Sequence, residues 1–212
     1  DKLIFKLKPD VNAPSAKDVQ AYISMPPVSS ISVTSPGIVT VDGDFDSEKS
    51  LTLYASVSGS INMNNVYLSD NSCLDVSTSS SGSIDMDDAF AGTFKATSSS
   101  SGDIDINNLT ADTATIRCSS SGEFETEMKV NALTASSSSN GNMSLSGIVG
   151  NASLTASSNG EIDAEDLTAK RVSISESKRT GGKIIGFGKA DSDDDDDELN
   201  ETKARNVKLE MP

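Results

Sequence analysis

The sequence predicts an all-β fold, a single-stranded right-handed parallel β-helix (β-solenoid) of about eight coils of roughly 21 residues each. Three observations carry this. A glycine recurs at nearly constant spacing, the residues at fixed offsets from it alternate between apolar and polar, and the i, i+3, i+4 spacing of an amphipathic helix is absent throughout.

The glycines are Gly37 in TSPGIV, Gly59 in VSGSI, Gly82 in SSGSI, Gly102 in SSGDI, Gly122 in SSGEF, Gly141 in SNGNM, Gly160 in SNGEI and Gly182 in TGGKI, with successive gaps of 22, 23, 20, 20, 19, 19 and 22 residues. Two residues after each stands an apolar side chain: Val39, Ile61, Ile84, Ile104, Phe124, Met143, Ile162 and Ile184. Four residues after come Val41, Met63, Met86, Ile106, Thr126, Leu145 and Ala164. The column between them holds Thr40, Asn62, Asp85, Asp105, Glu125, Ser144 and Asp163. Period two thus sends the first two sets inward and the third to water. Further apolar positions recur at Val66, Ala89, Leu109, Ile148 and Leu167, and before the next glycine at Ile31, Leu53, Val76, Ala96, Ile116, Ala135 and Leu154. Each unit therefore reads as about three short strands separated by turns.

Such a unit is too short for a strand–helix–strand crossover, which needs about 30 residues. It cannot bury its own apolar side, so it stacks on its neighbours, each strand pairing in parallel with its counterpart one coil on. At about 4.8 Å per coil the stack is roughly 35–40 Å tall, and the crossover rule favours a right-handed turn. An antiparallel sandwich also shows short alternating strands, but it has no reason to place the same residue types at the same offset in every unit. The serine runs Ser79–Ser81, Ser98–Ser101, Ser119–Ser121 and Ser136–Ser139 are expected to stack as a wall of hydroxyls bonded from coil to coil. The glycine then takes a corner where a Cβ is costly.

Solenoid ends expose strand edges and need caps. Residues 1–30 read as N-terminal capping strands, with Leu3, Phe5 and Leu7 alternating in DKLIFKLK, and Val19, Ala21 and Ile23 in VQAYISM. Residues 31–188 are the repeats. Residues 189–201 form an acidic loop with five aspartates, Asp193 to Asp197, and residues 202–212 a closing strand through Val207, Leu209 and Met211. A block of like charges is a solvated loop, and this one lacks the glycine-spaced pattern of a calcium loop.

Only 4% of residues are aromatic and 35% hydrophobic, so the core is thin. The net charge of −15, from 32 acidic and 17 basic residues, disfavours nucleic acid and anionic lipid. No run of 18 apolar residues predicts a transmembrane segment. Cys73 and Cys118 sit at different offsets two coils apart, about 10 Å along the axis, which is too far for a disulfide. Both are expected to be small buried or half-buried residues.

Histidine is absent, which removes the commonest general base and the His-dependent triads. Carboxylates are plentiful on one outward face: Asp103 and Glu123 just after the glycine, Asp85, Asp105 and Glu125 two residues on, and Asp87 and Glu127 two further. Their spacing suits a glycosidase pair, a cation such as calcium, or a plain solvated face. Three features argue against an enzyme: few aromatic platforms for sugar, no long loops to build a cleft, and acids in ladders rather than in one pair of contrasting environments. No catalytic or cofactor-binding residue is assigned, and the seven acids stand as cation candidates.

The series SGSI/SGDI/NGEI, preceded by YISMPPVSSISVTSPG and followed by steps such as LTAD and LTAK, resembles the auto-transporter adhesin family with the head GIN domain, from about Val19 to Gly182. The resemblance implies a right-handed parallel β-helix of Bacteroidetes-type cell envelopes, exported or lipid-anchored, with adhesion as its proposed task and no transferable catalytic position. The expected function is a non-enzymatic, exported, adhesin-like module whose partners are glycans or cell-surface proteins. The alternatives are a carbohydrate-active enzyme on a β-helix and a scaffold that polymerises end to end.

Overall fold

The computed structural model describes residues 22–186 and 203–208. The strands run β1 (Ser30–Val33), β2 (Gly37–Val41), β3 (Phe45–Ser47), β4 (Leu51–Ala55), β5 (Gly59–Leu68), β6 (Cys73–Thr78), β7 (Ser83–Ser98), β8 (Asp103–Cys118), β9 (Glu123–Ser137), β10 (Asn142–Ala156), β11 (Glu161–Asp163), β12 (Leu167–Glu176), β13 (Lys183–Ile185) and β14 (Lys203–Lys208), with one 3₁₀ turn at Lys178–Thr180. All pairings from β1 to β13 are parallel, each strand lying on its equivalent one coil later. The chain is a β-solenoid.

Each coil has three walls, which in the coil after Gly102 are residues 103–106, 108–111 and 113–118. The inward rows are those expected. On the first wall Val39, Ile61, Ile84, Ile104, Phe124, Met143, Ile162 and Ile184 align in one register. On the third, Ile31, Leu53, Val76, Ala96, Ile116, Ala135, Leu154 and Ile174 do the same. Between the end coils these side chains are buried, and Phe94 of the third wall meets Phe124 of the first with ring centroids 6.2 Å apart. Each buried Ile or Leu contributes about 1.5–3 kcal/mol of hydrophobic stabilisation, which a core this narrow collects by repetition.

The structure corrects several local expectations. In the coils of β7 to β10 the corners between walls are bends within one continuous strand, so that β7 and β8 run 16 residues each and one tight turn closes each of these coils; in the coils of β5–β6 and β11–β12 a second turn separates two strands, as expected. In the closing turn the two central residues adopt positive φ, as at Ser80 (48°), Ser81 (62°), Ser100 (51°) and Ser101 (63°), and the following glycine N–H closes it, Gly82 donating to the Ser79 carbonyl at 2.9 Å. These are type I′ geometries filled with serine. Their coil-to-coil ladder is built from backbone, with the Ser81 and Ser101 N–H groups donating to the Ser100 and Ser120 carbonyls at 3.3 and 3.2 Å. Hydroxyls add little to it because most of these serines point to solvent.

The glycine itself has ordinary φ and is needed for closeness. A Cβ on Gly82 would lie 2.3 Å from the Ala55 carbonyl oxygen, and one on Gly122 2.5 Å from the Ser98 backbone. Buried Ser98 and Ser137 return the contact by donating to the Gly102 and Gly141 carbonyls, both at 2.6 Å.

Ile148 was expected inward and is 58% exposed. The coil after Gly122 lacks one residue at the first corner, where a bulge shifts register between Ile106 and Asn108. Offsets counted from the glycine slip by one beyond it, so Gly147 occupies the inward row of Leu109, Met128 and Leu167, and Ile148 follows Lys129 outward. Gly147 tolerates φ of 99° with the Met128 carbonyl oxygen 2.2 Å from where a Cβ would be.

At the N-terminus the described part of VQAYISM, residues 22–25, forms no strand. Leu3, Phe5, Leu7, Val19 and Ala21, the acidic run Asp193–Asp197, and Leu209 and Met211 lie outside the described residues. The C-terminal strand is present as β14, but it pairs antiparallel with β12. No helix among the described residues is long and apolar enough to cross a membrane.

Two substitutions separate closeness from φ. Gly122→Ala should lower stability by about 1–3 kcal/mol, because the new methyl must displace backbone of the preceding coil. Ser101→Gly should raise it by on the order of 0.5 kcal/mol, the left-handed penalty of about 1–2 kcal/mol being offset in part by glycine's backbone entropy. Urea unfolding of both variants reads the two signs.

Candidate functional site

The outward rows of the first wall carry the predicted acids. Asp103 and Glu123 pair in register, as do Asp85, Asp105 and Glu125. Like charges therefore stack directly, an arrangement that is destabilising. Partial desolvation, then Glu123, Asp85 and Asp105, raise the Asp103 pKa against a hydrogen bond from the Ile104 backbone N–H. Desolvation followed by Asp85 raises that of Asp105. Further along the stack Lys183 neutralises Glu161 at 3.0 Å.

Asp87 and Glu127 do not share a row. The corner bulge puts Glu127 opposite Asn108, while Asp87 accepts a hydrogen bond from Asn107 at 3.2 Å. The acids thus form ladders along the axis rather than a shell, and no group of three or more Asp, Glu or Cys side chains among the described residues is arranged to hold a metal ion.

What the acid ladders lead to is a second cluster at the corner between the first and second walls. Three consecutive coils place a polar doublet there: Asn64 and Asn65, Asp87 and Asp88, Asn107 and Asn108. The amides donate to the carboxylates of the coil before, Asn65 to Asp44 and Asn108 to Asp88, each at 2.8 Å. The doublets border an open depression of about 380 Å³ over Met63 and Met86, shared with Asn62, Asp85 and Asp105. Two residues beyond the doublets, on the same outward face, Tyr67 and Phe90 stack with centroids 5.1 Å apart and planes 22° from parallel. Phe90 stays 37% exposed.

This corner was not singled out by sequence reasoning. Its signal was present in the NN, DD, NN doublets at a constant offset and in the aromatic residue three positions after the first member of two of them. What hid it was attention to acids alone, in a chain whose outward face is acidic nearly everywhere.

Both cysteines are free. Burial, with Glu123 and Asp103 adding to it, pushes the Cys118 thiol up to about 12. Partial burial also raises that of half-buried Cys73, with Lys95 opposing and Asp75 reinforcing. A disulfide reagent at pH 8 should therefore label Cys73 slowly in the native protein and Cys118 only after unfolding, as mass analysis of the labelled peptide would report.

For Asp103, a folded pKa above 3.8 means that the folded state binds more protons than the unfolded one between the two values. The destabilisation is absent below that window, grows as pH rises through it and is complete at pH 7. Asp103→Asn should then raise the melting temperature at pH 7, by the equivalent of a few tenths of a kcal/mol, with no gain at pH 3; thermal unfolding at pH 7, 5 and 3 measures this.

No curated protein and no solved structure matches this chain. A family model does, over residues 1–127 and again over residues 107–185, overlapping as repeats do. The chain belongs to the family described as "Putative auto-transporter adhesin, head GIN domain".

Proposed function

We propose that this chain is an exported, non-enzymatic, adhesin-like module of the cell envelope that uses the outer walls of its β-helix as a contact surface. The observation that carries the reading is the corner formed by the polar doublets and the Tyr67–Phe90 stack. There the outward face stops being a plain solvated ladder and offers apolar area together with fixed hydrogen-bonding groups. Family membership supports export and adhesion as the setting.

The reading as a carbohydrate-active enzyme finds less support. A hydrolase needs two carboxyl groups held in contrasting environments, and Asp103 and Asp105 are perturbed in the same direction, both by desolvation first and both with Asp85 adding to it. The depressions of about 330 and 380 Å³ are open to solvent, so they exclude little water.

End-to-end assembly is favoured by one observation. Strands β1, β2 and β3 each pair on one side only among the described residues, and Ile38 on β2 is 72% exposed. The antiparallel β14 opposes it at the other end, because it covers β12 with a strand of the wrong direction for a parallel continuation.

Antibody binding to intact cells that express the chain, together with attachment of those cells to glycan-coated and protein-coated surfaces, tests the main reading. Surface labelling and a loss of attachment on deletion are expected. Labelling that needs permeabilised cells would remove the reading, and a concentration-dependent ladder of oligomers in light scattering would favour assembly instead.

A further inference from the structure

Outward on the second wall, one register row runs Asp46, Tyr67, Phe90, Thr110, Lys129, Ile148. Two aromatic rings stack in it and then the stack stops. Thr110 is too short to continue it, and Phe90, whose partner ring lies on the Tyr67 side, remains 37% exposed. Beyond Thr110 the row resumes with the long side chain of Lys129, exposed like Ile148 after it. The row therefore has a gap one residue wide, with an aromatic residue on one side. Along the strand, two residues away on the same face, stand Asp88 and Asn108, joined at 2.8 Å.

We infer that this gap over Thr110 is a binding slot for a neutral pyranose residue of a glycan, which enters as the next ring of the Tyr67–Phe90 stack. The inference rests on the reading of the outer wall as a contact surface. A pyranose presents an apolar C–H face and a rim of hydroxyls, and the slot offers the matching pair: an aromatic ring for the first and a carboxylate with an amide for the second. The Asp88 and Asn108 side chains are held in place by each other, so they lose little freedom on binding.

Charge selects among sugars. Asp88 borders the slot and Asp85 and Asp105 stand on the first wall of the same coils, against the single cation Lys129 at the slot's far edge; with a net charge of −15 over the chain, the balance disfavours uronic or sulfated chains and leaves neutral ones unaffected. A protein partner fits the chemistry less well. Interface centres are depleted in Asp, whereas Asp85, Asp87, Asp88 and Asp105 surround the two rings here. Acceptors in excess suit a ligand made of hydroxyl donors.

The test is an array of neutral, amino, uronic and sulfated glycans probed with the purified full chain, followed by calorimetry on any hit. Two variants act on the slot in opposite ways. Phe90→Ala removes the ring against which the sugar stacks, and Thr110→Tyr fills the gap with the protein's own third ring. Retention of neutral glycans is expected, with at least tenfold weaker binding in both variants. Thr110→Tyr should keep or raise the melting temperature, so its loss of binding cannot be laid to misfolding. Binding of neutral glycans that survives Thr110→Tyr unchanged, retention of anionic glycans or proteins only, or no retention at all would overturn the slot. Cells that still attach through the chain while the purified protein ignores every neutral glycan would leave the contact-surface reading standing and remove the sugar.

Discussion

The close approach of one coil to the next at the glycine is the constraint on which the rest depends. Parallel strands must lie about 4.8 Å apart on all three walls at once, and the turn that ends each coil has to tuck against the coil before it. At Gly82, Gly122, Gly141 and Gly160 a Cβ would lie 2.3–2.6 Å from backbone of the preceding coil, a distance that no side chain accepts. With hydrogen there, the turn closes and its N–H groups reach the next coil. The register fixed at this corner carries around the coil, which is why Ile104 sits over Ile84 and under Phe124. Positive φ is carried by the neighbouring serines and asparagines, so the glycine is spared for the one task that only glycine can do.

This division explains which parts of the structure were legible in the sequence. The fold was legible because interior rows and close approaches leave residue types that recur at fixed offsets: Ile61, Ile84 and Ile104 in one row, Leu53, Val76 and Ile116 in another. Counting forward from the glycine worked past the first corner in most coils, as at Val66, Ala89, Leu109 and Leu167, and failed beyond it in the coils that start at Gly122 and Gly141. The coil that starts at Gly122 is one residue short there, and a period-two pattern read past a deletion inverts inside and outside. Ile148 was misplaced for that reason, and Glu127 was put in a row with Asp87 by the same slip. An internal check existed, because Lys129 has the same offset as Ile148 and a lysine does not belong in a narrow apolar core. The serine runs misled differently: their hydroxyls suggested a side-chain ladder, but the turn's own amides make it.

The candidate site was less legible because nothing inside the solenoid constrains the outside. An inward row must be apolar in every coil, so a single sequence displays it eight times. An outward row is free to vary, and a functional group on it shows only where several coils agree without a structural reason. The acids of the first wall agree, yet stacked like charges cost stability, and partners such as Ser83 for Asp85 and Lys183 for Glu161 are local. The doublets of the first corner agree over three coils, and hydrogen bonds of 2.8–3.2 Å tie Asn65 to Asp44 of the coil before and Asn107 and Asn108 to Asp87 and Asp88. Amide against carboxylate is the outward equivalent of an interior row, a repeat that holds itself in register.

The aromatic pair completes this argument. In a chain with 4% aromatic residues and no tryptophan, Phe94 and Phe124 are explained by the core, where they are 0% and 2% exposed. Tyr67 and Phe90 have no such explanation, since their row faces water and Phe90 is 37% exposed. Stacked rings on a surface stabilise by about 0.5–1.5 kcal/mol, a gain that a third ring at Thr110 would extend. Stability alone would continue the ladder, and solvation alone would not have begun it. A stack that starts and stops beside a fixed amide–carboxylate pair has the form of a surface built to be finished by something that is not part of the chain.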